Sequence, residues 1–183
     1  MKVLMEVFMR TFVVKALALV SAVFLFAGCT GIPDGVTPVN NFDVTKYQGT
    51  WYEVARLDHS FERGMDQVTA NYQLNDDGDV VVTNRGFKVD DNGWEEAIGK
   101  AKFVDATDEG YLKVSFFGPF YGSYIVFDLD HEDYQYSFVS GPNLSYLWLL
   151  SRTKTVDPKV MESFIKQAKA IGFDTQELIM VNQ

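Results

Sequence analysis

From Thr50 onward the chain is a succession of short runs in which apolar and polar positions alternate. The runs are TWYEVARL (50–57), VTANYQL (68–74), VVVTNRGF (80–87), WEEAIGKAKFV (94–104), YLKVSFF (111–117), GSYIVFDL (122–129), YQYSFVS (134–140) and YLWLLSRT (146–153). Alternation with period two, rich in aromatic and β-branched residues, predicts strands. The separators NDDGD, DDNG, ATDEG, FGPFYG, DHED and GPNLS are short and turn-forming, so successive strands should be antiparallel neighbours. The spacing predicts a meander.

Period 3.6 replaces period two only once at length. After Asp157 as N-cap and Pro158 in the first helical position, Val160, Met161, Phe164, Ile165, Ala168 and Ile171 trace one face until Gly172. That face predicts a helix packed on a sheet. QELIMV (176–181) predicts a further strand, and FDVTKYQG (42–49) a turn of helix closing at Gly49. Eight strands in a meander must bury one face, either as a two-sheet sandwich or as a closed barrel, filled or hollow. A membrane-spanning barrel needs an apolar outer face, which Lys113 and Ser115, opposite Leu112, Val114 and Phe116, do not provide.

The first 28 residues follow another logic. Lys2, Arg10 and Lys15 precede the uncharged run ALALVSAVFLFAG, which is too short for a permanent span and reads as an export signal. Cys29, the sole cysteine, stands where an exported chain would be cut, and it has no partner for a disulfide. The sequence LFAGC resembles the bacterial lipobox, which implies acylation of Cys29. Several acyl chains would give stable anchorage, and Thr30, in place of Asp, directs such a lipoprotein to the outer membrane. The expected organisation is a signal peptide at 1–28, a lipid-anchored tether at 29–41 and one domain at 42–183.

Charge narrows the partners. The full chain has 16 Lys and Arg against 25 Asp and Glu; without residues 1–28, which hold three of the bases and Glu6, the balance is 13 against 24, or −11. Such acidity argues against nucleic acid and against electrostatic adhesion to anionic lipid. Membrane association should rest on the anchor or on apolar contact.

GTWYEVARL, with Gly49, Trp51 and Tyr52, resembles the opening signature of lipocalins, and YLWLLSRT supplies Arg152, the arginine that in that family lies across the tryptophan at the closed end of the barrel. NNFDVTKYQGTWYEVARLDHSFERG and KVSFFGPFYGSY look particularly like the bacterial outer-membrane lipocalins related to apolipoprotein D. LDHEDY (129–134) departs from the common Thr-Asp-Tyr motif, with Asp130 and Tyr134 as its candidate counterparts. The resemblance implies an all-β fold: an eight-stranded antiparallel up-and-down barrel with a C-terminal helix outside and a short final strand. It also implies a calyx for fatty acids, lysophospholipids or other hydrophobic molecules, with no cofactor, and it leaves a homodimer open.

Strand parity selects the candidate ligand contacts. If Lys113 and Ser115 face out, Leu112, Val114 and Phe116 face in; Tyr124 and Val126 share a face of the next strand, and Trp148 shares parity with Arg152. Glu53 shares parity with Trp51, and an inward carboxylate must find partners or titrate upward. Trp51 with Arg152 reads as a structural cation–π pair. Asp58 and His59 stand side by side, but no serine elbow, CxxC, HExxH or glycine-rich phosphate loop accompanies them, so no catalytic role and no metal site is assigned. Phe117, Phe120 and Tyr121 are left for the opposite face or the turn, with Phe61, Glu62 and Arg63 in an early loop at one barrel end.

Overall fold

The computed structural model describes residues 30–183, so the leader and Cys29 lie outside the described residues. The strands are β1 (Gly49–Arg56), β2 (Met65–Leu74), β3 (Val80–Lys88), β4 (Gly93–Phe103), β5 (Tyr111–Phe117), β6 (Phe120–Leu129), β7 (Tyr136–Ser140), β8 (Leu147–Ser151) and the short β9 (Ile179–Met180). Helix α1 (Val44–Tyr47) precedes β1, and α2 (Pro158–Ile171) follows β8. Each strand from β2 to β7 pairs antiparallel with its successor, and β1 pairs with both β2 and β8. The ring is therefore closed, eight-stranded and up-and-down, and β9 lies outside it on β1.

This topology sorts the turns. The connections after β1, β3, β5 and β7 share one end, and those after β2, β4 and β6 share the other with α1. α1 is capped by Asp43, whose carboxylate accepts from the Thr45 amide at 2.9 Å. Its last residue, Tyr47, packs its ring against that of Trp51 with centroids 4.7 Å apart and the planes tilted by 32°, closing the barrel at that end.

Two apolar layers result. Inside the barrel, Trp51, Ala70, Tyr72, Val82, Leu112 and Leu150 belong to one buried cluster. Between the outer wall and α2, Ala55, Ile125, Phe138, Leu149, Phe164 and Ala168 form a second. α2 begins where the sequence predicts, with the Asp157 side chain accepting from the Lys159 amide, and ends at Gly172, whose φ of 111° favours glycine. The segment 31–41, read from the sequence as a tether, lies along the wall: the Val39 amide donates to Val126, its carbonyl accepts from Gly110, and Val36 is buried in the second cluster.

Candidate functional site

At the closed end, Trp51 is fully buried, and its indole donates to the Tyr47 carbonyl at 2.8 Å. The Arg152 guanidinium lies 3.9 Å from the Trp51 ring centroid. Its nitrogens donate to the carbonyls of Lys46, Gln48, Thr50 and Tyr134. One side chain therefore ties α1, the start of β1 and the β6–β7 turn together. The Tyr134 hydroxyl in turn accepts from the Asp43 amide, and the Asp130 carboxylate accepts from the amides of Glu132 and Gln135. Gly49, with φ of 92°, brings the chain out of α1 into β1, whereas Tyr52 faces outward and is half-buried.

Above this floor the barrel is hollow, with a cavity of about 100 Å³. Leu112, Val114, Phe116, Tyr124, Trp148 and Glu53 all line it. Val126 does not: it is fully buried in the interior cluster, where its backbone holds Val39 and Gly110. Alternation points Val126 inward, but at the level where the barrel is already packed. The Phe116 ring lies across Gly99, where an added Cβ would come within 2.8 Å of it.

Two polar groups interrupt the apolar lining. Toward the floor, the Tyr124 hydroxyl lies 2.7 Å from that of Tyr47 and 2.8 Å from that of Tyr72, and Tyr47 also meets Ser137 at 3.0 Å. Burial pushes the Tyr47 hydroxyl up to about 12, and burial also raises Tyr72 and Tyr124 well above the ordinary tyrosine value. The hydroxyls therefore remain protonated, able both to donate and to accept.

Near the mouth lies an ionic cluster that the sequence reading does not assemble. A β-bulge after Glu53 inserts one residue, so Arg56, not Ala55, follows Glu53 into the interior. Arg56 is 2% exposed, and it donates to Glu53 at 2.6 Å and to the carbonyls of Glu62 and Met65. Glu62, folded back from the β1–β2 loop, accepts from the Trp148 indole at 3.1 Å and lies 3.0 Å from His59 Nε2. Two buried carboxylates thus lie near one guanidinium, which bonds the carboxylate of Glu53 but only the main-chain carbonyl of Glu62. Burial, reinforced by the charge of Glu62 and only partly opposed by Arg56, raises Glu53 well above the ordinary carboxylate range. Burial also acts to raise Glu62, but its contact with His59, together with Trp148 and Arg56, outweighs that and holds it low. Asp58 instead pairs with the exposed Arg63, so the adjacent Asp58 and His59 form two separate pairs.

Tyr72 was accessible by parity with Val68 and Ala70, which also line the cavity. Arg56 was hidden by the bulge, and the contact between Glu62 and Trp148 spans 86 positions. Asn84 Oδ1 is a buried acceptor without a protein partner in the lining, in the middle of β3 and on the same parity as Val80 and Val82. Among the described residues no group of His, Cys, Asp and Glu is arranged to hold a metal ion.

The family described as "Lipocalin-like domain" matches residues 42–183. "Outer membrane lipoprotein Blc" of Vibrio cholerae is 56% identical over 169 residues, covering 92% of this chain and 99% of its own. The protein of the same name from Escherichia coli K12 is 49% identical, covering 91% and 94%. Apolipoprotein D of Macaca fascicularis is 30% identical, covering 87% and 85%. Among solved structures, insecticyanin from the tobacco hornworm Manduca sexta superposes with a TM-score of 0.65 at 22% identity, covering 84% and 87%, a likeness of fold alone.

Proposed function

Because the chain belongs to the lipocalin-like family, whose members bind small molecules and do not catalyse reactions, we propose that it takes up one acyl-chain molecule, such as a fatty acid or lysophospholipid, in the barrel cavity. The hollow interior carries this reading. Leu112, Val114, Phe116 and Trp148 remove the chain from water at about 25 cal/mol per Å² of apolar surface. Glu53, Tyr124 and Asn84 are the polar groups within reach of a headgroup or a kinked chain, and they set its orientation. A barrel that serves only as an interaction platform needs no hollow, so the same observation disfavours it.

The protein is an outer-membrane lipoprotein, as are its relatives by name, and in our reading acylated Cys29 is the attachment and the barrel faces the periplasm. Storage of released lipid, or its transfer between membranes, follows from such a site. The Cys29→Ser chain should be exported yet leave the membrane fraction; continued retention would overturn the anchor.

Binding is tested by displacing an apolar fluorescent probe from delipidated, folded protein with oleate or lysophosphatidylcholine. Saturable displacement is expected, and Val114→Phe, which fills the lumen, should abolish it while the fold persists. Absence of saturable binding by the native chain would overturn the reading.

A further inference from the structure

The ionisable groups of the cavity are of one sign. Its lining includes the carboxyl groups of Glu53 and Glu62 but, among the described residues, no lysine, arginine or histidine. Arg56 and His59, the basic members of the mouth cluster, touch those carboxyls without lining the cavity themselves. The two carboxyls also differ from each other: Glu53 is raised well above the ordinary carboxylate range, and Glu62 is held low. Negative charge in the lining is therefore concentrated on Glu62. An anionic group brought to this wall meets a carboxylate and no lining cation to offset it.

Two aromatic rings accompany that charge. Phe61, the residue before Glu62, and Trp148 line the same cavity. The Phe61 ring stacks on that of His59 with centroids 3.9 Å apart, and the Trp148 ring lies 5.1 Å from His59. Trp148 and His59 also meet one and the same oxygen of Glu62, Oε2, at 3.1 and 3.0 Å. Acid and rings are thus held as one unit. A carboxylate has about four acceptor positions, so these two contacts do not exhaust it. Phe61 is 53% exposed and Trp148 partly so, which puts the unit where the cavity meets solvent. A latch for the β1–β2 loop requires the bonds of Glu62 but not a half-exposed phenyl ring on the cavity wall beside them.

A carboxylate beside aromatic faces is the chemistry that recognises an ammonium group. The ring faces attract the cation, and the methyl groups of a quaternary ammonium suit an apolar wall. We propose that Phe61, Glu62 and Trp148 form a headgroup site for the ammonium of a single-chain lipid, so that the cavity prefers an amine-bearing head such as phosphocholine to an anionic one. This rests on the binding reading above and narrows it. Of the two ligand classes named there it selects the lysophospholipid over the fatty acid, and among lysophospholipids those that end in an ammonium. The acyl chain lies against Leu112, Val114 and Phe116, and the phosphate stays in water at the mouth.

The test displaces the apolar probe from the delipidated, folded chain with lysophosphatidylcholine and with lysophosphatidylglycerol of the same acyl chain, both as monomers. The net charge of −9 repels any anionic lipid at long range. The two are therefore compared at about 1 M salt, where screening confines such repulsion to about 3 Å. Lysophosphatidylcholine should bind about tenfold more tightly or better. Glu62→Gln, which keeps an acceptor for the Trp148 indole, should abolish the difference. Phe61→Leu, at a half-exposed position, should reduce it without lowering affinity for lysophosphatidylglycerol. Dodecyltrimethylammonium should compete with the same dependence on Glu62, and dodecanoate should not. Tighter binding of dodecylphosphocholine than of dodecyltrimethylammonium would mark a phospholipid as the source of the ammonium, and the reverse order a simple alkylamine. Equal affinity of the native chain for the two lysophospholipids would overturn the headgroup site and leave the carrier reading standing. A preference that survives Phe61→Leu unchanged would overturn it too, even if Glu62→Gln did not fold. Binding of neither lipid would overturn the carrier reading itself.

Discussion

Arg152 is the side chain through which the closed end holds together. Its stacking on the fully buried Trp51 contributes roughly 2 kcal/mol where desolvated, and its removal would leave four carbonyls short of a donor. Arg152→Ala should therefore cost about 3 kcal/mol in denaturant unfolding, with little change in probe affinity of the fraction that remains folded. Arg152→Lys should recover only part, because a point charge cannot serve a fork of carbonyls. This pair was fully legible in the sequence, since both residues sit in the resembling motifs.

Glu53 was half legible: its inward parity was clear, its partners were not. Its carboxyl, raised by burial and by Glu62, contributes to stability that is complete below the ordinary carboxylate value and is lost as pH rises through its folded value. Glu62, held low, works in the opposite sense: its contribution is present above the ordinary value and is lost as pH falls through the folded one. Glu53→Gln has no proton to give up. Its melting temperature relative to the native chain should thus increase from about pH 4 to about pH 7. A difference that shrinks over this range would mean that Arg56 keeps Glu53 ionised.

At the scale of elements, the periodic signals were sufficient for the eight barrel strands and for α2, because each is long enough for alternation or a 3.6-residue face to repeat; the strand expected over 176–181 shrinks to Ile179–Met180, after a 3-10 turn at Thr175–Glu177. What they could not show are the defects in periodicity. The bulge in β1 reverses parity between Glu53 and Arg56, and a rule of strict alternation assigns Arg56 to solvent. The same limit applies to depth: parity says that Val126 faces in, not that it lies below the cavity. The stretch VSFFGPFYGSYIV illustrates all of this, with Phe116 and Tyr124 in the lining, Val126 in the packed interior, and Phe117 and Phe120 exposed.

α2 gives a prediction at this scale. Phe164 is fully buried against the outer wall, with its ring 5.0 Å from that of Phe138. Phe164→Ala should cost about 3 to 5 kcal/mol, whereas loss of the cap in Asp157→Ala should cost only about 1 kcal/mol. Both are read by thermal or denaturant unfolding. If the two costs were equal, α2 would be held by its cap and not by the wall.

For the molecule as a whole, the two cores separate the tasks of stability and binding. The outer layer joins α2 to the wall, so the inner layer is left free to be hollow. A ligand that binds only the folded barrel should raise its stability by about 2.7 kcal/mol at a hundred times its dissociation constant. Calorimetry with and without lysophosphatidylcholine checks that. The cavity itself was not legible in the sequence. Composition does not say whether inward side chains meet across a barrel, and the pairing that decides it, β1 with β8, joins residues about 100 positions apart.

That pairing also dictates an order of assembly. β1 has its place on the ribosome long before β8, yet one of its edges stays unsatisfied until Leu147–Ser151 arrives, and Arg152, which grips Thr50 across 102 positions, comes later still. Contacts so distant in sequence make folding slow and deny the early part of the chain any independent stability. A chain ending at Ser140 should remain soluble only with denaturant and show no cooperative unfolding. The protein becomes a container all at once, after its last strands have been delivered, and until then it is an open ribbon with nowhere to put a lipid.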